Sequence, residues 1–134
     1  MATVRYIVND VDESIPFYTD HLGFTLQMHP APPFAMLTRG DLRLALVSPV
    51  DADHPGGGSR QLPDGTRQEP GGWNRFLIEV TDLTAMVGQL HAAGVSFRTD
   101  VITGVGGRQA LAEDPSGNLV ELFEPVLPEA HETK

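Results

Sequence analysis

Leu42-Arg43-Leu44-Ala45-Leu46-Val47-Ser48-Pro49 and Asn118-Leu119-Val120-Glu121-Leu122-Phe123-Glu124-Pro125 align residue for residue without a gap. The correspondence extends upstream. Val8-Asn9-Asp10-Val11 opens an amphipathic stretch that closes at Leu22-Gly23, and Val80-Thr81-Asp82-Leu83 opens another that closes at Ala93-Gly94. The chain is therefore two copies of one unit, and superposing them shows which chemical groups occupy equivalent places.

Around these anchors the elements follow from periodicity. Thr3 to Val8 alternates as a strand. Asp10 or Asp12 caps a helix whose apolar positions Val11, Ile15, Tyr18 and Leu22 form one stripe, with Gly23 as its stop and Pro16 in the first turns, where a missing N–H does least harm. Phe24 to His29, Phe34 to Thr38 and Leu42 to Val47 read as strands, the last two joined by the hairpin Arg39-Gly40-Asp41. The second copy repeats the order: strand Asn74 to Val80, helix Leu83 to Ala93 ending at Gly94, then strands Val95 to Thr99, Arg108 to Ala112 and Leu119 to Phe123. Asp114-Pro115-Ser116-Gly117-Asn118 supplies its last turn. Each copy is β-α-β-β-β, an α+β class.

A chain of 134 residues is one domain's worth of protein. Its expected parts are a first module over 1–49, a connecting segment over 50–72, a second module over 73–126 and a polar tail over 127–134. The connection from Asp51 to Gly72 carries Gly56, Gly57, Gly58, Gly65, Gly71 and Gly72 and has no periodicity, which predicts either a mobile linker or a lid over a site.

Nine basic against eighteen acidic residues give a net charge of −9, which repels phosphate backbones and anionic lipid. Nucleic acid and membrane are thereby excluded as expected partners. With no cysteine, disulfides, thiolate metal sites and cysteine nucleophiles are excluded. The N-terminal residues contain no signal-like pattern and no window spans a bilayer, so a cytoplasmic location is expected. Ser14 and Ser59 lack a histidine and acid placed to activate them. Gly104-Val105-Gly106-Gly107-Arg108 joins two strands, where a phosphate loop would precede a helix, and reads as a hairpin turn. His21, His29, His54, His91 and His131 read as surface histidines.

Val8-Asn9-Asp10 with Phe17-Tyr18 and His21-Leu22-Gly23-Phe24 in the first copy, and Asp114-Pro115-Ser116-Gly117-Asn118-Leu119-Val120-Glu121-Leu122 in the second, resemble the vicinal oxygen chelate superfamily, which includes glyoxalase I, extradiol dioxygenases, fosfomycin-modifying enzymes and bleomycin-resistance proteins. The resemblance implies two tandem βαβββ modules forming an open eight-stranded cup for a ligand or metal. It also implies metal ligands on the first and last strand of each module, at positions that map here to Thr3, Ala45, Arg75 and Glu121. Only Glu121 is a good ligand, and an arginine beside it would repel a divalent ion.

Residues two apart from those positions share the cup face. That face is expected to hold Thr3, Arg5, Ile7, Arg43, Arg75, Leu77, Glu79, Glu121 and Phe123. Arg75 and Glu121 are expected to form an ion pair where the family places a metal, and Glu79 to pair with Arg5 or Arg43. Trp73 and Asn74 arrive at the rim, and with Phe34, Met36 and Phe123 would line an apolar pocket with few polar anchors.

The expected function is a metal-free, small-molecule binding protein, a homodimer that sequesters an aromatic or cationic ligand in the manner of antibiotic resistance proteins, with no cofactor. The alternative is a lyase, isomerase or dioxygenase using Glu121 with a divalent metal or as a general base near Arg75. A third possibility is an accessory domain whose ligand is another protein.

Overall fold

The computed structural model describes residues 2–55 and 57–126, so Gly56 and the expected tail lie outside the described residues. It contains two four-stranded sheets built from two tandem β-α-β-β-β modules. Sheet 1 has the order β1-β4-β3-β2, from β1 (Thr3–Ile7), β2 (Thr25–Ala31), β3 (Phe34–Arg39) and β4 (Leu42–Val47). Sheet 2 has the order β5-β8-β7-β6, from β5 (Arg75–Glu79), β6 (Ser96–Thr103), β7 (Gly107–Glu113) and β8 (Leu119–Pro125). The chain divides into two compact units. One comprises residues up to Gly71 with the turn Pro115–Asn118; the other comprises Gly72–Asp114 and the residues from Leu119 on.

The pairing registers establish the repeat at the level of single residues. In sheet 1 Thr3 pairs with Arg43 and Arg5 with Ala45; in sheet 2 Arg75 pairs with Leu119 and Leu77 with Glu121. Thr3 is thus the structural equivalent of Arg75, and Ala45 of Glu121.

Strand alternation gives each sheet two unlike faces. In the first unit Tyr6, Ala35, Leu37, Leu44 and Leu46 are buried on the side of α1 (Val11–Pro16). In the second, Ile78, Ala110, Ala112, Val120 and Leu122 are buried on the side of α2 (Leu83–Ala92). Each fully buried leucine or isoleucine contributes about 1.5–3 kcal/mol, so these helix-facing rows hold each unit together.

The single helix expected from Val11 to Leu22 is instead α1 followed by a π-helical turn, Phe17–His21. Pro16 has no N–H for the carbonyl one turn back and its ring crowds that turn, so the helix widens there. The widened turn puts two successive aromatics into the core, Phe17 and Tyr18, in edge-to-face contact at 4.9 Å. Both modules end their helices at glycines in the left-handed region, Gly23 at φ +75° and Gly94 at φ +85°. β6 runs past the expected Thr99 because irregularities between Phe97 and Thr99 and between Thr99 and Ile102 let the polar run Arg98-Thr99-Asp100 stay in the strand.

The turn of the second module does more than reverse the chain. Within the first unit, Asn118 Nδ2 donates to the Ile7 carbonyl at 2.7 Å and its Oδ1 accepts from the Gly71 N–H at 2.8 Å. Ser116 Oγ accepts from the Asn9 N–H at 2.8 Å. No helix among the described residues is long and apolar enough to cross a membrane.

Candidate functional site

On the helix-free face of sheet 2 the residues fall in three rows: Arg75–Leu119–Glu113, Leu77–Glu121–Leu111 and Glu79–Phe123–Gln109. Arg75 and Glu121 sit in adjacent rows of neighbouring strands, close enough to bond. Arg75 Nε lies 2.9 Å from Glu121 Oε1, with the side chains 29% and 11% exposed. The expected ion pair at the family's metal positions is therefore formed. Arg75 Nη1 also donates to the Trp73 carbonyl at 3.2 Å, so one guanidinium ties the buried carboxylate to the backbone before β5.

A second arginine fixes the Trp73 ring. Arg98 Cζ stands 4.7 Å from the ring centroid, its Nε donates to Glu113 at 2.9 Å and its Nη1 to the Gly72 carbonyl at 2.7 Å. Trp73 is 65% exposed, yet it is braced by a cation over the ring and by a bond to its own carbonyl. The result is an aromatic plate with a cation over one face and much of its surface open. Asn74 is exposed between Trp73 and Arg75. Glu79 is half-buried at the end of β5, in the other unit from its expected partners Arg5 and Arg43. Phe123 is half-buried against the Gly106-Gly107 backbone, where a Cβ on Gly107 would come within 2.9 Å of Phe123 Cζ. The glycines of this segment serve close strand approach and a hairpin, closed by Gly104 N–H donating to the Gly107 carbonyl at 2.8 Å.

A third pair, Arg108 Nη2 to Glu124 Oε1 at 2.9 Å, lies at the start of α2. Glu124 also accepts from the Leu83 N–H at 2.8 Å. That backbone donor, followed by the Arg108 guanidinium, holds the Glu124 carboxyl below the usual carboxylate range.

The helix-free face of sheet 1 carries the equivalent rows Thr3–Arg43–Thr38, Arg5–Ala45–Met36 and Ile7–Val47–Phe34. Here no carboxylate answers the arginines. Arg43 Nε is buried without a hydrogen-bond partner, and Arg5 forms no ion pair among the described residues. Met36 is buried beside Ala45 and belongs to packing more than to any opening.

Arg5 and Phe34 do meet, in a cavity of about 200 Å³ within the first unit, lined also by Pro33, Val47, Val50, His54 and Ser59. Its roof is the glycine-rich connection, which is folded down onto sheet 1. Val50 and Arg60 form a parallel bridge, Val50 N–H donates to the Ser59 carbonyl at 3.2 Å, Gln61 N–H to the Val50 carbonyl at 3.0 Å, and Ser59 Oγ donates to the Ser48 carbonyl. With its hydroxyl so committed, Ser59 has no nucleophile's arrangement.

Sequence reasoning missed His54, Val50 and Ser59 as cavity residues, because an aperiodic loop gives no face to assign them to. His54 is half-buried at the cavity, not simply on the surface. His29 departs from expectation too: Nδ1 lies 2.8 Å from the Phe34 carbonyl and Nε2 2.7 Å from Asp12 Oδ1, and those two acceptors, the carbonyl first, raise its pKa above the ordinary value.

The donors present fit a metal poorly. Of the four positions, Thr3 and Ala45 offer at most one neutral hydroxyl, Arg75 is a cation, and Glu121 is held by it. A divalent ion would have to displace a guanidinium at 2.9 Å and then sit beside its charge. Among the described residues no cluster of three or more histidine, aspartate or glutamate side chains is arranged to hold an ion.

The chain is similar to known proteins in sequence and in fold. An uncharacterized protein of Mycolicibacterium smegmatis is 29% identical over 117 residues, 87% of this chain and 86% of its own length. TnmS3, an antibiotic binding protein from Streptomyces sp. CB03234, is 25% identical with a TM-score of 0.66 over 92% of this chain and 93% of its own. The genomically encoded fosfomycin resistance protein FosX from Listeria monocytogenes has the same fold at 16% identity, with a TM-score of 0.71 over 98% of this chain and 97% of its own. The sequence model of the Glyoxalase/Bleomycin resistance protein/Dioxygenase superfamily matches residues 1–122, and the chain belongs to that superfamily.

Proposed function

We propose that this chain is a metal-free small-molecule binding member of its superfamily that sequesters an aromatic compound such as an antibiotic. The observation that carries the reading is the Arg75–Glu121 ion pair, which occupies the positions the family uses for metal with a bond that neutralises the one competent ligand. Supporting it are Trp73, a braced aromatic plate suited to stacking, and the 25% identity to an antibiotic binding protein. Sequestration needs affinity without bond making, and a fixed guanidinium–carboxylate pair supplies orientation and hydrogen bonds without a free base. A cytoplasmic homodimer is part of the reading. The edge strands β2 and β6 leave Leu26, Met28, Val101 and Ile102 exposed, and pairing of copies would cover such edges.

Trp73 is the sole tryptophan, so its fluorescence reports directly on the plate. A panel of planar antibiotics titrated against the protein is expected to contain compounds that quench Trp73 saturably and leave the titrant chemically intact. Trp73→Leu is expected to weaken them, read by calorimetry, by about tenfold. Turnover of a bound compound, or a panel in which no planar antibiotic quenches Trp73 saturably, would contradict the reading.

A further inference from the structure

We infer that the cavity on sheet 1 binds the acid group of a small monoanionic organic molecule, with Arg5 as counter-ion and Phe34, Pro33, Val47 and Val50 as walls for its apolar body. The inference rests on the reading that the chain holds an organic ligand without a metal, and it assigns an acid-binding subsite within the first unit.

Charge is the first argument. The chain carries −9 overall, and in the second unit Arg75, Arg98 and Arg108 are each matched by a glutamate at 2.9 Å. On the helix-free face of sheet 1 two arginines, Arg5 and Arg43, stand in adjacent rows on neighbouring strands and neither has an ion-pair partner among the described residues. Arg5 is exposed and reaches the cavity with its charge unpaired among the described residues, so an anion entering there meets a guanidinium able to bind it in place of water. A cationic ligand would be repelled there, so the cavity selects the aromatic and rejects the cationic part of the broader expectation.

Space is the second. A Cβ on Gly58 would overlap Arg5 Nη1, lie 3.0 Å from Arg5 Cζ and stand at an ordinary 3.5 Å from Val47 Cγ1. Gly58 is not among the glycines with positive φ, so its backbone does not demand glycine. What glycine provides at 58 is room for the guanidinium beneath the loop. The cavity, at about 200 Å³, is below the ~300–1,000 Å³ of drug-sized sites, so it fits one substituted ring or the acidic end of a larger ligand.

Benzoate, benzamide and benzamidine share one ring and differ in charge, and their titration by calorimetry or by proton–nitrogen correlation spectra tests the assignment. Benzoate is expected to bind at least about tenfold more tightly than the other two. Arg5→Gln is expected to erase that preference. Gly58→Ala is expected to erase it as well while the unfolding midpoint stays near the parent's, because only the flexible end of Arg5 has to move. Equal or tighter binding of benzamidine, binding of none of the three at millimolar concentration, or benzoate affinity indifferent to Arg5→Gln would each overturn the inference. Metal analysis of the same samples separates the two readings: stoichiometric metal that disappears in Glu121→Ala overturns the metal-free reading whatever benzoate does, and indifference to Arg5 overturns the acid-site assignment whatever the metal content.

Discussion

Breaking the Arg75–Glu121 pair from each side in turn should give unequal costs, and the inequality follows from burial. Glu121 is 11% exposed and Arg75 29% exposed at the side chain, with 2.9 Å between Nε and Oε1. Arg75→Met leaves a buried carboxylate, paired in its row with Leu77 and Leu111, without its counter-ion and removes the donor to the Trp73 carbonyl. A stranded buried charge costs several kcal/mol, and partial exposure of the lost arginine lowers the expected loss to about 2–3 kcal/mol. Glu121→Leu places an apolar side chain between two leucines and leaves Arg75 able to turn toward water, so its cost is expected within about 1 kcal/mol. The double variant should cost about as little as Glu121→Leu alone, a coupling of about 2–3 kcal/mol. Urea unfolding followed at Trp73, which lies in the same unit, measures all four proteins. Additive single effects, or a larger loss from Glu121→Leu than from Arg75→Met, would refute the pair as the element that replaces a metal.

Three further outcomes are expected. Asn118→Ala removes partners from the Ile7 carbonyl and the Gly71 N–H and should lower stability by about 1–3 kcal/mol in chemical denaturation, with Asn118→Asp recovering only the Gly71 contact. His29 has its folded pKa raised above the unfolded value, so its stabilisation is full below about pH 6.5 and is lost as pH rises through the folded value; His29→Gln should therefore lower the melting temperature more at pH 5.5 than at pH 9. Glu124 has its pKa lowered, so its contribution is present above the ordinary carboxylate range and lost as pH falls through the folded value; Glu124→Gln should destabilise at pH 7 and converge with the parent in strong acid.

Much of this was legible in the residues because the repeat is gapless where it matters. The alignment of Ala45 with Glu121 and the count placing Thr3 opposite Arg75 are reproduced by the strand registers, and the Arg75–Glu121 bond joins two positions that the family resemblance brings together. Val11, Ile15, Tyr18 and Leu22 fit an unbroken helical stripe, and that stripe conceals the π turn that Pro16 forces. The end of β6 is hidden by a polar run whose irregular pairing leaves no strict alternation to read. The cavity was half visible: Arg5 and Phe34 share a strand-defined face, while His54 and Ser59 come from a segment whose position depends on the Val50–Arg60 bridge and the Ser59–Ser48 bond, tertiary contacts with no periodic signature. Nothing in the spacing of Arg98 links it to Trp73, which precedes the first strand of the module, so their contact has no sequence signature.

The most direct test of the metal-free account is elemental analysis of protein purified without chelator, followed by titration with manganese, iron(II), nickel and zinc while the melting temperature is monitored, because a ligand specific for the native state raises it. The account predicts substoichiometric metal and the same melting temperature with and without each ion, in the parent and in Glu121→Ala alike. One bound ion per chain, with a rise in melting temperature that Glu121→Ala abolishes, would contradict it.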